Sequence, residues 1–222
     1  MDVSIIITNY NYGIFLERCL RSCLNQHLPR GKYEVIVVDD ASTDMSQKIL
    51  TAYKDKVRTI FLSKNEGVGF ASNEGIRAAE GQFVVRVDAD DYINEYMILT
   101  QLLFLRNRSD YFGVSVDYML VTSEGDKKTS LVSAVDEPIS CGIMYRKDIL
   151  VREGLYNPKY RHREERELRL RLNEKYKIGN IPIPFYRYRQ HDKNKSKSEE
   201  FHEIEQELTV QYIQTTGARK NG

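Results

Sequence analysis

Residues 84–91 read Val84-Val85-Arg86-Val87-Asp88-Ala89-Asp90-Asp91, an apolar strand-like run that stops abruptly in three carboxylates. Carboxylates crowded this closely raise one another's cost of ionising, so a fold that keeps them together has a cation or a proton for them to share. Three more apolar runs precede this one, at residues 3–8, 33–39 and 57–62, and helical patterns at 14–26, 43–54 and 68–79 lie between them. The first of these patterns sets Leu16, Leu20, Cys23 and Leu24 on one stripe. Repeated βα units of this kind imply an α/β fold, a mainly parallel, Rossmann-like central sheet flanked by helices, with ligands at the carboxyl ends of the strands. The acidic cluster falls at such an end.

After a further helical pattern at 95–106 the grammar changes. Residues 112–122 and 127–133 predict a small hairpin insertion about Ser123-Glu124-Gly125-Asp126. A short strand at 142–145, a helix at 163–176, an extended segment at 178–189 with Pro182 and Pro184, and a polar loop at 191–198 follow. A C-terminal helix at 199–215 carries Phe201, Ile204, Leu208 and Tyr212 on one face, which suits packing on its own domain or the seam of a homodimer. The hairpin has too few apolar residues for a core of its own, so residues 1–222 are expected to form one domain.

Composition narrows the function. Hydrophobic content of 41 % and charged content of 29 % fit a globular protein, and 33 basic against 32 acidic side chains leave no net field to draw in nucleic acid or anionic lipid. No apolar stretch approaches the roughly 20 residues that span a bilayer, and no secretory leader is evident, so the expected location is cytoplasmic, with peripheral contact to the inner face of a membrane left open. Cys19, Cys23 and Cys141 are odd in number and lack metal-ligand spacing, which makes them small apolar packing residues in a reducing compartment.

The strand ends carry the chemistry. The first ends in Thr8-Asn9-Tyr10-Asn11-Tyr12 and the second in Asp39-Asp40-Ala41-Ser42-Thr43-Asp44. If these strands are neighbours, an aspartate at the tip can accept an N–H from a nucleobase edge while a tyrosine ring stacks on the base. Ser42 or Thr43 capping the next helix, with Asp44 complementing its dipole, accounts for part of the same motif. The third strand leads into Asn65-Glu66-Gly67-Val68-Gly69, whose backbone N–H groups suit an anion, although a turn with positive φ at Gly67 needs the same glycine. Asp88 and Asp90 then stand where a nucleotide diphosphate would lie, and Mg2+ or Mn2+ takes such oxygen ligands together with phosphate and water. Asp91 suits a cap of the following turn.

Taken together, T-N-Y-N, Y-E-V-I-V-V-D-D-A-S-T-D, N-E-G-V-G-F-A-S-N-E-G-I and V-D-A-D-D, in this order, resemble the inverting family 2 glycosyltransferases of GT-A fold. The resemblance implies a nucleotide-binding half at 1–92, in which Thr8, Asn9, Tyr10, Asp39 and Asp40 hold the nucleobase region with Asn65 and Gly67 nearby. It implies that Asp88 and Asp90 form the family's D-x-D, with Asp90 the direct metal ligand and Asp88 facing the ribose or a metal-bound water. An acceptor and catalytic half follows at 93–190, in which Glu164-Glu165 stands where the family has a Glu-Asp pair whose aspartate is the catalytic base. His191 matches a late histidine that completes the metal site in some members, and Arg189 is a candidate diphosphate partner.

A second glutamate in place of the aspartate moves the carboxylate outward by about an ångström or more, and general-base geometry is sensitive to that distance. Leu168, Leu172 and Tyr176 define the buried side of this helix, so Glu164 and Glu165 are expected at its exposed first turn, and the arginines from Arg161 to Arg171 on a solvated ion-pair face. The implied activity moves one sugar from a nucleotide diphosphate, UDP by family weight, to a hydroxyl on a glycan, a lipid-linked saccharide or a protein. A catalytically weak nucleotide-sugar-binding module and a metal-dependent nucleotidyl or phosphoryl transferase are the rivals. A Rossmann dehydrogenase is disfavoured because no G-x-G-x-x-G follows the first strand.

Overall fold

The computed structural model describes residues 1–29, 31–123, 127–160, 163–172 and 175–191, with positions 204, 207, 208 and 210 of the C-terminal segment. Strands β1 (Val3–Asn9), β2 (Tyr33–Asp39), β3 (Arg58–Phe61) and β4 (Phe83–Asp88) alternate with helices α1 (Gly13–Leu24), α2 (Ser46–Ala52) and α3 (Val68–Ala78). Then come β5 (Tyr92–Ile93), α4 (Met97–Asn107), β6 (Tyr111–Thr122), β7 (Lys128–Val132), β8 (Met144–Arg146), α5 (Lys147–Arg152), α6 (Glu164–Leu172) and β9 (Lys177–Gln190). The two-residue β5 and the short α5 were not foreseen from the sequence. Both are too brief to leave a periodic signal.

The strands form a curled sheet in the order β3-β2-β1-β4-β8-β6-β9-β5, with β7 paired to β6. Its first half is parallel throughout, and the antiparallel β8 joins it to the second half, where β6 and β9 run parallel. β1 is central because both its faces are apolar. Val3, Ile5 and Ile7 pack on the layer containing Leu16, Leu20 and Cys23 of α1 and Ile98 and Leu102 of α4, while Ile6 packs on the opposite layer with Ala71 and Ile76 of α3 and Leu168 and Leu172 of α6. The period-2 alternation of the strand thus divides its side chains between two helical layers. The three cysteines are free and buried, as expected for packing residues.

From β1 the chain moves outward to β2 and β3, then returns to place β4 on the other side of β1. Such a reversal leaves an open crevice beyond the strand ends, because the connections diverge there. Register brings the motif-bearing tips together, with Thr8 opposite Asp88 and Asn9 opposite Asp39. The expected hairpin is present as β6 and β7, its turn at 124–126 lying outside the described residues. β9 extends the sheet beside β6 and shifts register between Val116 and Tyr118, opposite Pro182 and Pro184, since proline has no N–H to give to the ladder. Of the expected C-terminal helix, Ile204, Glu207, Leu208 and Val210 are helical and Leu208 is buried; the remainder, including the proposed dimer seam at Phe201 and Tyr212, lies outside the described residues.

The closeness of α3 to the sheet depends on Gly75. A Cβ there would lie 2.5 Å from Ile6 Cγ2 and 3.2 Å from Val38 Cγ2. Gly75→Ala is expected to lower stability by roughly 1–2 kcal/mol, overpacking outweighing the better helix propensity of alanine. A reduced urea midpoint at unchanged m-value checks this; an unchanged midpoint would mean that α3 shifts freely on the sheet.

Candidate active site

A cleft of about 600 Å³ opens over the carboxyl ends of β1 and β4, lined by Thr8, Tyr10, Asp40, Asp88, Asp90 and Glu165 among others. Its wall on the side of β1 and β2 is built by short polar links between strand tips. Asn9 Nδ2 donates to Asp39 Oδ1 at 2.6 Å and Ser42 N to Asp39 Oδ2 at 3.1 Å, tying the end of β1 to the loop after β2. Asp39 is fully buried and does not line the cleft, so the expectation that it touches the nucleotide is replaced by a structural role. Asp40 accepts the N–H groups of Glu66 (2.8 Å) and Gly67 (2.9 Å), which folds the β3–α3 loop over the tip of β2. Gly67 has φ 91°, the left-handed region open to glycine. Its amide is therefore engaged with Asp40 and is not presented to an anion, and neither Gly67 nor Asn65 lines the cleft. Each Asp40 oxygen keeps a further lone pair, and Asp40 does line it.

The acidic wall is fixed from behind by β9. Asp91, expected to cap a turn, is instead a buried anchor. It accepts the Tyr186 hydroxyl at 2.7 Å and the Arg189 amide at 2.8 Å, and burial beside Asp90 and Asp88 pushes its carboxyl well above the usual range. Arg189, a candidate diphosphate partner in the sequence, is also turned inward. It is buried, its Nε donates to the Asp90 carbonyl at 2.8 Å, and its guanidinium lies 4.8 Å from the Phe15 ring centroid, so it props the acidic loop and stands off the cleft wall.

His191 comes to Asp90 across the fold, Nε2 to Oδ2 at 2.9 Å, with its ring stacked on Phe15 at 5.2 Å. Burial raises the Asp90 carboxyl, opposed by the hydrogen bond from His191 and reinforced by Asp88. Asp88 accepts a long hydrogen bond from Thr8 Oγ1 (3.4 Å) and pairs with Arg86 Nε (3.1 Å). Donor atoms of Asp88, Asp91 and Cys141 also lie within 4.8 Å of one another. Burial holds the Cys141 thiol well above its usual value and therefore protonated. A hard cation takes oxygen ligands in preference to a neutral thiol, so Asp88 and Asp91 are the donors of this group that suit Mg2+ or Mn2+, and no other such group of three converges as closely among the described residues.

Across the cleft, Glu164 and Glu165 open α6, and both are 3 % exposed, where a solvated first turn was expected. The reason is Arg86. Its guanidinium, in the middle of β4, meets Glu164 at 2.6 Å and Asp88 at 3.1 Å and lies 5.7 Å from the Tyr156 ring centroid. A buried cation of this kind draws the helix start down onto the sheet. Glu165 accepts a short hydrogen bond from the Tyr145 hydroxyl and one from Arg169 Nε at 3.2 Å, both at Oε1, while Oε2 has no hydrogen-bond partner among the described residues. Burial raises the Glu165 carboxyl above its ordinary value against the pull of Arg169.

The sequence reading overlooked Arg86 and Tyr145. For Arg86 a signal existed, since at i−2 from Asp88 it shares that residue's face of β4 and is a lone charge in an apolar run. Arg163, Arg166 and Arg169, expected on a solvated face, line the cleft, whereas Arg171 pairs with Glu167 at 2.7 Å and donates to the Leu155 carbonyl.

A parallel sheet with a reversal of strand order, an acidic wall at its carboxyl edge and a buried carboxylate facing that wall define an α/β protein with a polar ligand cleft at the switch point. The sequence model of "Glycosyl transferase family 2" matches residues 4–168, and the chain belongs to that family. Among curated relatives, the poly(ribitol-phosphate) beta-glucosyltransferase of Bacillus spizizenii is 38 % identical over 115 residues, covering 50 % of this chain and 18 % of that protein. The poly(ribitol-phosphate) beta-N-acetylglucosaminyltransferase TarS of Staphylococcus aureus is 28 % identical over 171 residues, 72 % of this chain and 30 % of TarS. The chain thus spans less than a third of either relative. The crystal structure of S. aureus TarS 1-349 in complex with UDP-GlcNAc superposes with a TM-score of 0.77 at 23 % identity, covering 96 % of this chain and 67 % of that one, a likeness of fold.

The two glutamates should separate in stability measurements. Glu164→Gln leaves Arg86 short of a buried partner and is expected to cost roughly 2–4 kcal/mol. Glu165 has a folded-state pKa above its unfolded value, so its ionised form lowers stability at neutral pH and this penalty vanishes below the unfolded value of about 4.3. Glu165→Gln is accordingly expected to hold or raise Tm at pH 7 and to show no gain near pH 4. Thermal unfolding at the two pH values checks both, and a large loss for Glu165→Gln at pH 7 would make that residue a structural group.

Proposed function

We propose that this chain is an inverting transferase that moves one sugar from a UDP-sugar to a hydroxyl of a polyol-phosphate chain. The observation that carries this reading is Glu165, a buried carboxylate with raised proton affinity that lines one cleft together with the strand tips carrying Thr8, Tyr10, Asp40, Asp88 and Asp90. The relatives' names give the substrate class: poly(ribitol-phosphate) acceptors and beta-linked products, with UDP and UDP-GlcNAc bound to TarS. UDP-GlcNAc holds its sugar in the α configuration, so a β product requires inversion. The lipid-linked saccharide and protein acceptors admitted by the sequence have no comparable support.

In this reading the uracil lies by Tyr10 and Asp40, and the diphosphate by Asp88 and Asp90. A cation held by Asp88, Asp90 and His191 would neutralise charge on the departing diphosphate. The acceptor oxygen attacks the anomeric carbon from the side of α6 as the bond to the diphosphate oxygen breaks, leaving the electron pair on that oxygen. The Glu165 carboxylate takes the acceptor's proton, while Tyr145 and Arg169 hold its Oε1 and position the side chain. The longer glutamate side chain is compatible with this because α6 sits deep against β4.

UDP titration with and without manganese, followed by transfer assays, tests the assignment. Asp90→Asn is expected to weaken metal-dependent UDP binding, whereas Glu165→Gln keeps UDP binding and loses about 10²- to 10⁴-fold in kcat. Metal-dependent UDP binding without turnover on any acceptor would favour the binding module, and full activity of Glu165→Gln would pass the base role to Glu164. The acid limb of the kcat/KM profile should fall at a higher pH than an ordinary glutamate gives, since activity needs Glu165 ionised. An acid limb at or below about pH 4.3 would contradict this.

A further inference from the structure

A second recess, of about 410 Å³, lies between α1, β5 and β9 and shares no lining residue with the active-site cleft. Arg18, Arg21, Asn25, Tyr92 and Arg187 line it. Tyr92 and Arg187 are register partners across the β5–β9 pair, so their side chains leave the same face of the sheet. The Arg18 guanidinium lies 4.5 Å from the centroid of the Tyr92 ring, which gathers the two arginines around one aromatic wall.

Arg187 carries the charge that stands out in this recess. Arg187 is half-buried, and its Nη1 donates to the carbonyls of Pro184 and Tyr186. Those carbonyls occupy N–H groups and leave the charge uncompensated, and no carboxylate pairs with Arg187 among the described residues. Burial accordingly pulls this guanidinium below its ordinary value. Glu95, the one carboxylate lining the recess among the described residues, is turned to His27 at 3.4 Å, and Arg21 is paired with Glu17 at the exposed lip. A half-buried guanidinium without a carboxylate partner among the described residues, sharing a recess with a second on an aromatic face, is the kind of donor set with which arginine holds phosphate oxygens.

The recess also backs onto the catalytic wall. Tyr92 directly follows Asp91, and the Arg189 guanidinium that supports the Asp90 carbonyl lies 5.6 Å from the same Tyr92 ring. We propose that the Arg18–Tyr92–Arg187 recess binds a phosphodiester group of the acceptor chain, one or more repeats away from the hydroxyl being glycosylated. This rests on the polyol-phosphate reading of the acceptor. A polymer charged at every repeat gains from a second contact, because holding it there raises the local concentration of hydroxyls at the cleft.

The test uses the chain saturated with UDP, so that the donor cleft is occupied, and measures binding of a ribitol-phosphate oligomer, inorganic phosphate and phosphatidylglycerol vesicles. The oligomer is expected to bind with an affinity that falls as salt rises, and inorganic phosphate to compete with it. Arg187→Gln and Arg18→Gln/Arg187→Gln should weaken oligomer binding by about tenfold or more, with Arg187→Lys intermediate and UDP affinity and Tm unchanged throughout. Oligomer binding untouched by the double substitution, or vesicle binding in its place, overturns the proposal. Transfer assays keep its failure apart from that of the acceptor reading. Turnover on the polymer with unaltered KM in Arg187→Gln removes the recess alone, whereas arginine-dependent oligomer binding without turnover leaves the anion site standing and removes the acceptor assignment.

Discussion

The active site depends on one buried cation. Arg86 rises from the middle of the central sheet with its guanidinium between Asp88, on the same strand, and Glu164, at the start of α6. Left alone at that depth it would be strongly destabilising, and removing one partner of a buried pair typically costs about 3–5 kcal/mol. Arg86 therefore fixes the spacing between the acidic wall and the helix that carries Glu165, two regions 73 residues or more apart in sequence. Neither carboxylate alone could set that distance. Because Glu164 is bound to Arg86 and Glu165 is the next residue, the second glutamate inherits its position from the first.

This arrangement uses the sheet's strand order. The reversal between β1 and β4 opens space above their ends, and parallel register sets Thr8 beside Asp88 and Asn9 beside Asp39. Several of the polar residues at these tips are spent on each other. Asp39 secures Asn9 and Ser42, Asp40 secures the loop before α3, and Asp91 secures β9 through Tyr186 and Arg189. What remains facing the cleft is a smaller set, and it is rigid because its neighbours are fully engaged.

The βα half of the fold was legible because its strands and helices are long, periodic and local in their pairing, and four motifs in a fixed order named the family. Less could be read where a role depends on contacts distant in sequence. Asp39 and Asp40 are adjacent, chemically identical and both buried, yet Asp39, the last residue of β2, is spent on Asn9 and Ser42, whereas Asp40, just past the strand, lines the cleft. Arg189 looked available to a diphosphate because it borders a polar loop, but its partners, Asp90, Asp91 and Phe15, are scattered over the first half of the chain. The resemblance to the family implied a metal-site role for His191, but its pairing with Asp90 is encoded by no local pattern.

The division of labour between the two glutamates follows from geometry. Adjacent residues at a helix start point about 100° apart, so when Glu164 turns to Arg86, Glu165 must face elsewhere, and here it meets Tyr145 and Arg169. Those donors take one oxygen, and the residue as a whole lines the cleft. A carboxylate held this way is aimed but not neutralised, and burial keeps its proton affinity above that of a solvated glutamate. A shorter aspartate at 165 would end farther from Tyr145 for the same helix position. The extra methylene and the depth of α6 are thus two parts of one adjustment, each making sense of the other.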